Sequence, residues 1–211
     1  MRRLTSPVLL AALSFAYVPG CAVTSTKVRT YTDPSVGSQS ISSLAILPVR
    51  NAPIAQEASI RMNRDIAQTV QRQNPNLKIL GPVESIQTLN DAGLVDAYDR
   101  YLTALAQSGI PNAEVLRRIG DALKVDSILQ GQLVGLSQQD GSYPGHPGIT
   151  RFALRYSIVS TKTGMLLWET SAEARRKTAT VFESAPALEE VLPDATQTVL
   201  RSIPRFTFVR K

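Results

Sequence analysis

The chain reads as an α/β (α+β) domain, a mixed sheet with helices packed on it, in the order β-α-β-α-α-α-β-β-β-α. Three observations lead there. A short, nearly all-apolar run around residue 45 has the density of a buried strand. Segments with apolar residues at threes and fours then dominate up to residue 126. After Asp126 the apolar period drops to two and holds through three runs divided by turn residues. Helices on one face of a mixed sheet, whose last three strands form an antiparallel meander, would bury every stripe.

The elements follow in order. Residues 1–20 form a leader rather than part of the fold. Arg2 and Arg3 precede an uncharged run from Val8 to Val18, too short for the ~20 residues of a spanning helix. The run ends Val18-Pro19-Gly20-Cys21, which resembles the lipobox of bacterial lipoprotein signals, with Pro19 in place of the usual small residue. That resemblance implies cleavage between Gly20 and Cys21 and lipidation of the Cys21 thiol, with palmitate among the acyl chains. Cys21 is the only cysteine of the 211 residues and stands at the required place, which also excludes an intrachain disulfide. Two or more acyl chains hold a protein stably on a bilayer. Ala22 and Val23 follow the cysteine where an aspartate would retain the protein at the inner membrane, so the outer membrane is implied, with the domain facing the periplasm.

Residues 21–41 read as a lipidated cysteine and flexible tether, because Ser, Thr, Gly, Pro and Lys predominate from Thr24 to Ser40. Such a tether would span roughly 25 Å. Apolar density rises at Ile41, and residues 42–204 make one globular domain of ordinary size, leaving 205–211 as a tail. Loss of the leader lowers the formal charge from +6 to +4. The longest basic run, Arg175-Arg176-Lys177, reads as a solvated strand end, with contact to anionic lipid or glycan as the other reading. Export argues against nucleic acid as a partner.

Within the domain, Ser43 to Val49 is the first strand. A helix runs to about Gln73 with Met62, Ile66 and Val70 stacked, and Asn74-Pro75-Asn76 stops it. Leu77 to Leu80 is a second strand; Gly81-Pro82 opens a helix that Gly93 breaks. Leu94 to Gln107 carries Tyr98, Leu102 and Leu105 and ends at Gly109 and Pro111. Asn112 caps a helix bearing Val115, Leu116, Ile119 and Leu123. Ile128 to Leu136 is a strand in which Gly131 marks a close approach or bulge. Arg151 to Ser160 alternates Phe152, Leu154, Tyr156 and Ile158 with Arg151, Arg155 and Ser157. A hairpin at Thr161 to Gly164 leads to Met165–Ala174, with Leu166, Trp168, Ala172 and Ala174 on one face. A closing helix carries Leu188, Leu192, Ala195 and Val199, with Pro193 kinking it or setting its start.

Three of these pieces together are similar to a known envelope family: Ala45-Ile-Leu-Pro48, Ile119 to Gly131 with its Gly-Asp-Ala-Leu-Lys-Val-Asp core, and Lys162-Thr-Gly-Met-Leu-Leu-Trp168. They resemble the superfamily containing the TolB amino-terminal domain, the curli secretion-channel lipoprotein and the lipoprotein activators of penicillin-binding proteins. Val125 stands where that family has alanine, and Ser160 where it has aspartate. The likeness spans Ser43 to Ser202 and implies a membrane-anchored, non-catalytic envelope lipoprotein that binds a protein partner. The partner's identity and the oligomeric state stay open.

No catalytic residue, metal ligand or cofactor site emerges from the motifs. His146, the only histidine, sits in a Gly- and Pro-rich loop without a cysteine or nucleophile motif beside it and reads as solvated. Asp91, Asp96 and Asp99 read as a solvated helix face, and Trp168 as core. A sheet edge, a helix face or the 137–149 loop could bind the partner. The alternative is a subunit of an oligomeric outer-membrane secretion channel of the curli-channel type, although the short turn at Thr161–Gly164 leaves no inserted hairpin to line a pore. An uncharacterised envelope enzyme is the remote alternative.

Overall fold

A computed structural model describes residues 23–37, 41–49, 54–142, 146–179 and 183–206. Gly20, Cys21 and the leader lie outside the described residues. The strands are β1 (Val23–Thr32), β2 (Ser43–Ile46), β3 (Lys78–Leu80), β4 (Ser127–Gln139), β5 (Ile149–Ser160) and β6 (Leu166–Lys177). The helices are α1 (Gln56–Gln73), α2 (Pro82–Asp91), α3 (Val95–Ser108), α4 (Ala113–Leu123) and α5 (Leu188–Ser202). All six strands form one mixed sheet in the order β1-β6-β5-β4-β2-β3. β2 runs parallel to β3 and β4, while β4, β5, β6 and β1 form an antiparallel succession. From β2 onward the element order is the expected one, meander included.

Helices cover both faces of the sheet, not one. On one face α1 and α5 bury Met62, Ile66, Val70, Leu192 and Val199 against Leu44, Ile46, Phe152, Leu154, Tyr156, Ile158 and Trp168. On the other, α2, α3 and α4 bury Leu89, Tyr98, Leu102, Leu116 and Ile119 against Ala45, Leu47, Ile128 and Val159. The unbroken apolar run of β2 is the mark of this arrangement, since a parallel strand between two helical layers has no wet face.

Residues 23–32 correct the tether expectation. They form β1, paired over its length with β6 from Val23↔Lys177 to Thr32↔Trp168. Thr, Val and Tyr favour extended backbone, and an edge strand with exposed side chains needs no apolar stripe to form. The core also passes the expected bounds at both ends. Val36 and Ile41 are buried before it, and Phe206 is buried in the stretch read as tail, its backbone N–H donating to Asn74 Oδ1 at 2.7 Å.

Two smaller departures have local causes. The register of β5 and β6 shifts between Ile158 and Val159, so Leu166 faces the α2–α4 side while Leu167 joins Trp168. α5 starts at Leu188 and runs through Pro193, which therefore sits inside the helix rather than setting its start. Gly131 is a close approach, since a Cβ there would lie 2.6 Å from both Tyr156 and Val49, whereas the irregularity of β4 falls between Leu133 and Gly135. No helix among the described residues is long and apolar enough to cross a membrane.

Candidate functional site

The face of the sheet toward α2–α4 is covered over β2 and the start of β4, and at the end of β5 and start of β6 around Val159 and Leu166, and is open elsewhere. Alternation along the antiparallel strands places the odd-numbered residues of β1, β5 and most of β6 on this side. Beyond α3 these side chains have no helix over them. The open area carries Lys27 and Arg29 from β1, Arg151 and Arg155 from β5, and Arg175 and Lys177 from β6. Against these six cations stand the two carboxylates Glu169 and Glu173. Ser25, Ser137 and Ser171 fill positions between them.

Where α3 meets this face, the sheet edge of the helix forms a recess. It has about 510 Å³ of free space, lined by Leu102, Thr103, Ala106, Gln107, Gln132, Val134 and Arg155. A polar seam fixes the wall. Gln130 Nε2, almost wholly buried, donates to Tyr101 Oη and to Ser157 Oγ, each at 3.2 Å. Gln132 Nε2 donates to the Leu102 carbonyl at 3.4 Å. Burial pushes the Tyr101 hydroxyl up to about 12, with the Gln130 N–H pulling the other way, so the phenol stays neutral and the seam carries no charge. At the floor Arg155 lies 3.9 Å from Glu169, with 40% and 33% of the two side chains exposed. Such an exposed pair is worth little to the fold and leaves the guanidinium free to meet an anion.

A second polar cluster is structural. Asp126 Oδ2 accepts hydrogen bonds from Ser42 N and Ser43 Oγ at 3.2 Å and from Ser42 Oγ, and Lys162 Nζ lies 2.6 Å from Oδ1. The Asp126 N–H donates to Ser43 Oγ at 2.9 Å. This carboxylate ties the starts of β2 and β4 to the β5–β6 turn. Burial opposes its ionisation, but Lys162 and Ser42 more than offset that and hold it at about 2.

The residues singled out in sequence do not converge. His146 is exposed and exchanges backbone hydrogen bonds with Ser142 at 2.9 and 3.2 Å. Asp91 ends α2 and Asp96 begins α3, both exposed. Trp168 is fully buried in the core. Among the described residues no group of three or more His, Cys, Asp or Glu side chains could hold a metal ion. The open basic face is not legible as one site in the sequence; Arg151, Arg155, Arg175 and Lys177 are its fragments, while Arg176 turns to the opposite face and pairs with Glu190 of α5. Their meeting with Lys27 and Arg29 depends on β1, a stretch whose polar composition predicts a flexible tether.

No family model matches the chain, and no curated protein matches it in sequence. Solved structures are similar to it. The PelC dodecamer from Paraburkholderia phytofirmans is 13% identical, with a TM-score of 0.42, over 83% of this chain and 95% of that one. Lipoprotein GNA1162 from Neisseria meningitidis is 13% identical, with a TM-score of 0.47, over 76% of this chain and 96% of that one. The LpoB C-terminal domain from Salmonella enterica is 12% identical, with a TM-score of 0.37, over 64% of this chain and 84% of that one.

Proposed function

We propose that the chain is a lipid-anchored, non-catalytic adapter of the bacterial envelope, held at the outer membrane through acylated Cys21 with its domain in the periplasm. The recess between α3 and the sheet is where it binds a protein partner. The observation that carries this reading is the recess itself, whose apolar rim (Leu102, Ala106, Val134) surrounds a polar floor with Arg155. An apolar rim with one oriented cation is suited to a partner segment that presents a carboxylate beside an apolar side chain. The lipobox residues Val18 to Cys21 support the anchor.

The channel alternative finds its candidate strands already engaged. β5 and β6 bury Phe152, Leu154, Ile158 and Trp168 under α5, which leaves those faces no role in lining a barrel.

A photoreactive residue in place of Ala106 tests the adapter in living cells, with one in place of the exposed Val83 on α2 as control. The expected result is one envelope protein crosslinked from position 106 and not from 83. Crosslinking from 83 alone would refute the recess. Labelled palmitate should enter the protein and be lost in Cys21→Ser.

A further inference from the structure

We infer that the end of the open sheet face where β1 begins is a docking surface for anionic phospholipid headgroups. This rests on the anchored reading of Cys21 and adds to it an orientation of the domain on the bilayer.

Two independent features meet there. The first is the arrangement of charge. Arg151 and Arg175 are direct cross-strand partners, with Lys27 beside them opposite Glu173 and Lys177 opposite Val23. Like charges directly opposite on a sheet repel. Among the described residues none of Lys27, Arg151, Arg175 and Lys177 forms an ion pair. Arg175 Nε is closed off from solvent and donates to nothing. A space of about 240 Å³ lies between Ser25, Lys27, Arg151, Glu173 and Arg175, ample for a phosphate group. An anion seated there removes the repulsion that the fold otherwise carries.

The second feature is position. Val23 opens β1 and stands only two residues after Cys21. Two extended residues span at most ~7 Å. The headgroup layer on each side of a bilayer is roughly 5–8 Å deep. An acyl chain on Cys21 therefore sets Val23 and its partner Lys177 at headgroup depth, and Arg151 and Arg175, level with Ser25 and about 7 Å further along the strand, within side-chain reach of the headgroups. A tether of some twenty residues would leave the orientation free, and β1 removes that tether. Headgroup phosphates are thus favoured over an acidic protein, because the anchor delivers them to this site at high local concentration. Each basic side chain close to an anionic surface contributes about fivefold to its occupancy.

The test uses the processed, acylated protein in vesicles of phosphatidylcholine alone or mixed with phosphatidylglycerol. A fluorophore is placed by Ser137→Cys on the open face of β4 or by Val83→Cys on α2, and a quencher is carried on the lipid headgroup. Quenching at 137 is expected to be several-fold stronger with phosphatidylglycerol, to fall at high salt, and to vanish in Lys27→Glu/Arg151→Glu/Arg175→Glu. The milder Lys27→Gln/Arg151→Gln/Arg175→Gln variant relieves the repulsion and should fold while losing most of the effect. Equal quenching in the two lipids, or stronger quenching at 83, would overturn the inference. So would charge variants that lose a crosslinked partner while quenching stays unchanged, since the face would then belong to an acidic protein. A mass showing no acyl chain would refute the anchor separately. The face would then stand if that protein still sedimented with phosphatidylglycerol vesicles alone, and fall if it did not.

Discussion

At the level of single residues, two positions carry consequences that measurement can reach. Lys124 closes α4 in the left-handed region, at φ 53 and ψ 47, where side chains are strained and glycine is not. Lys124→Gly should raise stability by about 1 kcal/mol, read as a thermal midpoint about 2–4 °C higher. Asp126 is held ionised by Lys162 and Ser42 down to about 2, against an ordinary value of 3.8. Its contribution is full above about pH 4 and is lost as pH falls toward 2, because the unfolded carboxyl takes up its proton first. Asp126→Asn should cost roughly 1–2 kcal/mol at neutral pH and flatten the acid limb of a pH–stability curve. Equal acid sensitivity in both proteins would show that the carboxylate does not act as described. Neither role was legible in the sequence. Ser42 lies 84 positions before Asp126, a separation over which no local pattern speaks.

At the level of elements, periodicity served the helices well. α1 through α4 each bury one stripe, and the caps at Asn112 and Gly109 stand where their chemistry placed them, Asn112 Oδ1 accepting from Glu114 N and Val115 N at 3.1 Å. Periodicity failed where burial does not decide. β1 is exposed from Thr24 to Thr32 and so shows no alternation, and the shift that separates Leu166 from Trp168 inverts a face within one strand. Pro193 shows a different conflict. α5 tolerates it because Leu192, Ala195, Val199 and their neighbours bury the helix against β5 and β6, and tertiary packing outweighs the missing N–H. Pro193 itself is exposed, so Pro193→Ala should be accommodated without repacking and add roughly 1–3 kcal/mol to stability in denaturant unfolding. An unchanged midpoint would mean that the helix has already relaxed around the proline.

At the level of the molecule, the asymmetry between the two sheet faces is what gives the domain a working side. α1 and α5 together lie along one face out to β1, whereas α2, α3 and α4 end over β2, β4 and the Val159–Leu166 end of β5 and β6 and leave the cationic area bare. Two-sided coverage was implicit in the unbroken apolar run of the first strand, but the bare area was not, because it is assembled from β1, β5 and β6. Deleting residues 23–32 while keeping Cys21 would expose the long edge of β6 to other chains. The expected outcome is concentration-dependent association in light scattering, absent from the intact protein. The pairing of β1 also orders events in time. Thr30 meets Thr170 across 140 positions, so if the chain is exported as proposed, the earliest strand to emerge has no neighbour until most of the chain has followed. If acylation is completed first, the domain assembles while already leashed at one end, and closing the ladder is its final act. Mutations that weaken β6 would then show themselves as slow maturation at the membrane surface before they show themselves as loss of fold.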